Sequence, residues 1–173
     1  MIKRLALITL SLAFSGFVFA QSQAVRDQLF GPTDALKREA DAVNAKMLGP
    51  TSYASAMKLY KEAGDTLEKG KDINSVKEDL AKTNELLRES TEAAKLAQAT
   101  FAATLSARAA AERAEAAKYR AKDWGKAEAA LTEAAEILEG GNLNKASKNA
   151  DDLTKDYKEM ESKAINAKAK ATN

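Results

Sequence analysis

The residues with chemical potential near the chain end are carboxylates: Asp151-Asp152, then Glu159 and Glu161. A metal site needs several such ligands converging at ligand spacing. Here Lys155, Lys158 and Lys163 interleave with them, so a water-facing helix with ion pairs is the stronger reading. The chain has no histidine and no cysteine. That removes the commonest metal ligand, the side chain best suited to proton transfer near neutral pH, and the thiol nucleophile. Serines and threonines abound, yet only a lysine or carboxylate could activate them, and no such motif is present. Gly70-Lys71-Asp72 and Gly140-Gly141-Asn142 suggest phosphate loops at first sight. They lack the preceding strand and the Gly-Lys-Ser/Thr ending, and read as helix-to-helix turns. No catalytic residue, metal or cofactor is expected, and the chain is not read as an enzyme.

Two surface constellations remain. Tyr53, Tyr60, Tyr119, Trp124 and Tyr157 could form a platform for sugars or peptides, but aromatics at helical spacing are more often core. Tyr119, five residues before Trp124, is the best candidate for a surface aromatic. Lys118, Arg120, Lys122 and Lys126, near Arg108 and Arg113, could meet anionic lipid or the acidic wall polymer. Glu112 and Glu115 interrupt the upstream part, which favours a solvated face. Tyr119, Arg120, Lys122, Arg108 and Arg113 are the candidate interaction surface.

The start of the chain bears on compartment. Lys3 and Arg4 precede an apolar stretch from Leu5 to Phe19, and Val18-Phe19-Ala20 offers a small-residue cleavage site before Gln21. The competing reading is a membrane anchor, but the run is short of the ~20 residues that span a bilayer. A cleaved signal peptide over 1–20 and a periplasmic location are expected. No cysteine follows the apolar run, so lipid attachment there is not expected, nor is an integral anchor after cleavage. The leader holds two of the 27 Lys+Arg and none of the 25 Asp+Glu, which leaves the mature chain formally neutral. Nucleic-acid binding, which rests on net positive surface, is not expected. Without disulfides, stability must come from packing, which a mature chain of this size can supply.

The elements follow from periodicity. Residues 21–32 read as a flexible lead-in. A helix is predicted after Pro32, capped by Thr33 or Asp34, with Leu36, Ala40, Val43 and Met47 in one stripe, ending at Gly49-Pro50. A second starts at Thr51 or Ser52 and buries Tyr53, Ala56, Met57, Tyr60, Ala63 and Leu67, ending at Gly70. From Ile73 no glycine or proline occurs until Gly125. Val76, Leu80, Thr83, Leu87, Ala94, Phe101 and Leu105 trace a seam that turns to alanine through Ala117. If continuous to Tyr119 this is one very long helix of about 45 residues and ~70 Å. Its alanine-rich half is suited to close approach of a partner helix. Asp123 is the predicted N-cap of the next helix, with Trp124, Ala127, Leu131, Ala134 and Leu138. After Gly140-Gly141 the last helix carries Leu143, Ala146, Ala150, Leu153, Tyr157, Met160 and Ala164, and 170–173 fray.

A shift of 71 residues sets Tyr53 on Trp124, Ala56 on Ala127, Leu67 on Leu138 and Gly70 on Gly141. The fold class is therefore all-α: an elongated antiparallel bundle over 33–169. It consists of two αα-hairpin repeats (51–119 and 123–169) plus an N-terminal helix. The pattern aromatic-x2-Ala-x3-Leu/Tyr-x2-Ala-x3-Leu-Glu-x-Gly resembles an uncharacterised helical domain of bacterial cell-envelope proteins, often found ahead of an OmpA-like peptidoglycan-binding domain. It is also similar to tetratricopeptide hairpins, although the period is twice theirs. The resemblance implies an envelope location and a scaffold role. The sequence ends at Asn173 with no OmpA-like domain, so peptidoglycan binding is possible but rests on no residue here. The expected function is a non-catalytic helical scaffold or interaction module that contacts a protein partner or itself. A periplasmic chaperone or stress-response binder of unfolded chains is the alternative.

Overall fold

Abundant alanine, leucine, lysine and glutamate, with no period-two stretch, leave helix as the way to satisfy the backbone. The computed structural model describes residues 14–171, with side chains from Gln23, and among these residues there is no strand. Eight helices follow in order: α1 (Phe14–Ala42), α2 (Ala45–Leu48), α3 (Pro50–Glu68), α4 (Ile73–Thr100), α5 (Ala102–Arg113), α6 (Ala116–Tyr119), α7 (Ala121–Glu139) and α8 (Leu143–Ala171). The α3–α4 hairpin packs with α1 and α2. The α7–α8 hairpin packs with α5 and α6, and α7 also lies against α2, α3 and α4. One alanine- and leucine-rich core runs through both groups.

Several expected boundaries move. Residues 21–32, read as a flexible lead-in, are helical within α1, and Pro32 lies inside that helix instead of preceding it. An internal proline costs about 3 kcal/mol in a helix. The offset here is Phe30, which is fully buried against Ala63, Val76 and Leu80 and meets the Tyr60 ring edge-on at 5.3 Å. Thr33 and Asp34 therefore cap nothing. Thr33 is buried, and Asp34 accepts a 2.5 Å hydrogen bond from the Tyr60 hydroxyl. The very long helix is divided. Phe101 leaves helical geometry at φ −102°, ψ 21°, while still donating to Ala97 and accepting from Leu105. Glu115 then turns left-handed at φ 63°. Asp123 is not the N-cap of α7, which begins at Ala121; it sits in the first turn, paired with Arg120. At the end, Lys170 and Ala171 are still helical. Of the expected signal peptide, residues 1–13 lie outside the described residues, as do 172–173.

The breaks reveal the true length of the repeat. Asn44 and Glu115, 71 apart, are the two non-glycine residues with positive φ among the described residues. Each is followed by a four-residue helix, then by Gly49 (φ −141°, ψ 54°) or Arg120 (φ −134°, ψ 38°), then by a nineteen-residue helix. Gly70 (φ 62°) and Gly141 (φ 86°) close both long helices with the same turn. The Gly70 and Lys71 amides donate to Leu67 and Thr66, and the Gly141 and Asn142 amides donate to Leu138 and Ile137. Phe30 and Phe101 are both buried, as are Thr33 and Thr104, Ala40 and Ala111, and Ala45 and Ala116. The duplicated unit thus runs from Phe30 to Thr100 and again from Phe101 onward. The break at Phe101 is the join between copies.

Gly64 in α3 and Gly125 in α7 face open space where a Cβ would stand. Gly64→Ala and Gly125→Ala are each expected to stabilise by about 0.5–1 kcal/mol. The check is a higher urea midpoint at unchanged slope.

Candidate functional site

The densest set of functional groups lies where the two repeats meet. Arg108 on α5 and Glu128 on α7 form a two-pronged ion pair, with Nε to Oε1 at 2.8 Å and Nη2 to Oε2 at 2.7 Å. The guanidinium carbon lies 5.3 Å from the centre of the Trp124 ring. The Tyr157 hydroxyl donates to Glu128 Oε1 at 2.8 Å, and its ring meets Trp124 edge-on at 5.7 Å. Arg108 also reaches Glu112 one turn on. The hydrogen bond to Glu128 raises the Arg108 pKa although burial opposes it. Tyr157 is fully buried; burial, then the bond to Glu128, push its phenol far upward.

The first repeat holds a simpler version. Lys37, the counterpart of Arg108, pairs with Asp41 at 2.6 Å, and the Tyr53 hydroxyl donates to Asp41 at 2.5 Å. Burial alone would raise the Asp41 pKa, but the bonds from Lys37 and Tyr53 outweigh it and hold the carboxyl low. Between the two constellations opens a cleft of about 540 Å³. It is lined by Asp41, Asn44, Lys46 and Met47 on one side and by Arg108, Glu128 and Thr132 on the other.

A second contact joins the repeats. The Glu139 carboxylate accepts from the amides of Thr51 and Ser52, both at 2.9 Å. It thus caps the first turn of α3, where free N–H groups and the helix dipole favour a negative charge.

The expected interaction surface is split by this geometry. Arg108 belongs to the buried junction. Arg113 is exposed at the end of α5, and Lys122 is exposed in the first turn of α7. Arg120, between α6 and α7, pairs with Asp123, and its Nε is buried without a partner. Tyr119 is not a bare surface ring. It is partly buried against the core, with Lys118 Nζ 5.0 Å above it. The repeat positions Tyr53, Leu67 and Gly70 correspond one by one to Trp124, Leu138 and Gly141. Trp124 meets Arg108 of α5 directly, and Tyr53 is tied to the matching Lys37 of α1 through Asp41. The alanine seam of α5 and α6 lies against α8, with Ala107, Ala111 and Ala116 buried inside the chain's own fold.

Among the carboxylates near the end, Asp152 pairs with Lys155 and Glu159 with Lys163. No cluster of three or more His, Cys, Asp or Glu suited to a metal occurs among the described residues. Sequence reasoning missed Glu128 and Glu139 as partners, because each meets its target across helices. The one available signal was the repeat itself, which sets Arg108 on Lys37.

No protein-family model matches the chain, and no curated protein and no solved structure matches it.

The junction makes a prediction. Burial first, then a hydrogen bond to a carboxylate, raise the phenol pKa values of Tyr157, Tyr53 and Tyr60 above the ordinary 10.0. A phenol raised in the folded state contributes stability that is complete below its unfolded pKa and is lost as pH climbs through the folded value. Stability is therefore expected to fall once pH passes about 10. Phenolate absorbance followed beside helix content checks this. Much of the phenolate should appear only as helix is lost, and full ionisation of an intact fold would contradict it.

Proposed function

We propose that this chain is a non-catalytic helical scaffold, a protein-interaction module exported to the bacterial envelope. The observation that carries the reading is that its best chemical groups bind one another. Arg108 engages Glu128 and Trp124, Tyr157 engages Glu128, and Tyr53 engages Asp41. Such closed networks fix the geometry of a core, and what then faces solvent is helix surface. Tandem helical repeats present that kind of surface to partners. Export rests on the leader pattern Lys3 to Ala20, and the envelope assignment rests on the resemblance in the repeat motif. Among the described residues no helix is long and apolar enough to cross a membrane.

The chaperone alternative calls for an apolar cleft able to hold unfolded chains. Two of the clefts are walled by charge, with Asp41, Lys46, Arg108 and Glu128 in one and Arg120, Asp123, Lys126, Asp156, Glu159 and Lys163 in another, and a third on α5 and α8 mixes Arg113, Glu161 and Lys168 with alanines and Ile165. That composition favours a defined partner.

Fractionation with N-terminal sequencing tests export, with a mature start at Gln21 expected. Photo-crosslinkers placed in cells along the exposed faces of α3, α5 and α8 test interaction. Discrete adducts to one protein, or to a second copy, are expected. A chain retained in the cytosol, or one that forms no adduct from any face, would overturn the proposal.

A further inference from the structure

We infer that the join at Phe101 is a hinge, and that two molecules of the chain exchange their second repeats across it to form a dimer. This goes beyond the reading above: it needs no outside partner and holds whether or not the chain is exported.

The join is bent against the preference of its own sequence. Phe101 sits at φ −102°, ψ 21°, and no side chain caps α5. The amides of Ala102, Ala103 and Thr104 therefore lack helical partners, as do the carbonyls of Gln98, Ala99 and Thr100 just before them. Turned to ordinary helical angles, Phe101 joins α4 and α5 into one helix from Ile73 to Arg113, about 60 Å long. Those orphaned groups then pair with one another. The first repeat shows that the position accepts this. Phe30, the counterpart of Phe101, is fully buried inside the unbroken α1. It is followed there by Gly31 and Pro32, whereas Phe101 is followed by Ala102 and Ala103. Alanine is the best helix former, and glycine and proline are the poorest. Local preference thus favours the straight form at the join more than at Phe30. What bends it is tertiary: the bend brings α7 against α2, α3 and α4 of its own molecule.

A second molecule is the occupant that these contacts select. Straightening parts Glu139 from the Thr51 and Ser52 amides, and Glu128 and Thr132 from Lys46 and Met47 across the cleft. The α7 of another opened molecule carries the same groups at the same spacing and restores each contact. Its own first repeat receives the α7 given up, so the pair closes with two-fold symmetry. Because the join has no slack, the bent and straight forms are discrete, and a short hinge of this kind invites exchange. The hinge also carries an apolar crossing point. Leu96 is 51 % exposed, and in the straight helix it shares a face with exposed Ala99 and Ala103. Side chains this small beside one leucine let two long helices cross closely.

The chain has no cysteine, so introduced thiols report alone. Lys46→Cys and Thr132→Cys stand on opposite walls of the junction cleft. The two single variants of the mature chain are unfolded in urea, mixed, refolded together at high concentration and treated with a short bis-maleimide. Light scattering is expected to show a dimer whose share rises with concentration. That dimer should carry bridges from position 46 of one molecule to position 132 of the other, well above the background of the same mixture refolded dilute. Ala102→Gly/Ala103→Gly separates the two forms. Both positions are exposed and lie at the start of α5 in the bent chain, but in mid-helix in the straight one, where glycine weighs most. The monomer should keep its helix content, and the dimerisation constant should fall about tenfold. The inference is overturned by a chain that stays monomeric at every concentration, by a dimer without bridges between molecules, or by one indifferent to the two glycines. None of these results touches the scaffold reading, which stands on adducts formed from the exposed helix faces.

Discussion

Glu128→Ala is expected to destabilise the fold by about 3 kcal/mol, more than any other single charge removal in the chain. Arg108 and Glu128 are only 23 % and 27 % exposed at the side chain, so the pair is mostly withdrawn from water. Deleting one member of a buried pair costs about 3–5 kcal/mol, because the other charge is left uncompensated. Partial exposure reduces that figure. The same change strips the Tyr157 hydroxyl of its acceptor in the fully buried core, which adds about 1–3 kcal/mol for an orphaned polar group. Arg108 keeps Glu112 and its place on Trp124, so the total stays near the lower sum. Urea unfolding measures the loss. Glu128→Gln, which retains an acceptor for Tyr157, should recover part of it. Equal losses for the two variants would mean that the hydroxyl contributes nothing.

Gly49→Ala is expected to cost about 3 kcal/mol, and for a reason unrelated to backbone freedom. Gly49 has φ −141°, a value any residue adopts, and its counterpart Arg120 takes nearly the same angles with a long side chain. The difference is the neighbour. A Cβ on Gly49 would fall on the backbone carbonyl oxygen of Ser90, inside van der Waals contact. That carbonyl belongs to α4 and cannot swing away as a side-chain tip could. Ser90 Oγ also donates to the Gly49 carbonyl at 2.7 Å, so the two segments are drawn together as well as crowded. Overpacking a rigid site costs about 1–3 kcal/mol and sometimes more. Thermal or urea unfolding of the purified variant checks this. Arg120→Ala, at the matching position, should cost far less, and similar losses at both sites would show that the local backbone and not α4 is responsible.

Much of the fold was legible because it is written in local spacing. The stripes Ala56, Ala63 and Ala127, Leu131, Ala134, Leu138 are buried as helical period requires, and glycines end both long helices. Where reading failed, a distant contact overruled a local rule. Pro32 announces a helix start, yet burial of Phe30 two residues earlier holds α1 through it. Nothing near Glu115 signals a break, since αL is costly for such a residue. Its counterpart Asn44 is the better clue, because asparagine tolerates that conformation. Lys118 and Tyr119 amides donate to the Glu115 carbonyl, and Lys168 pairs with its side chain. The junction of Arg108, Glu128 and Tyr157 draws on three helices, and no spacing within one helix encodes their meeting. Of the residues expected to form a surface, Arg108 was misplaced for that reason, whereas Arg113 and Lys122 are exposed.

The join at Phe101 has no linker: one helix hands over to the next in a single step. The second copy's orientation is therefore geared to the first as two cogs on one shaft. One residue inserted there would turn everything downstream by about 100° and push it ~1.5 Å along the axis. Glu139 would swing away from Thr51, and Glu128 from the Lys46 side of the cleft. Growth of this molecule by duplication is consequently quantised, in whole units of the spacing that carries Phe30 to Phe101.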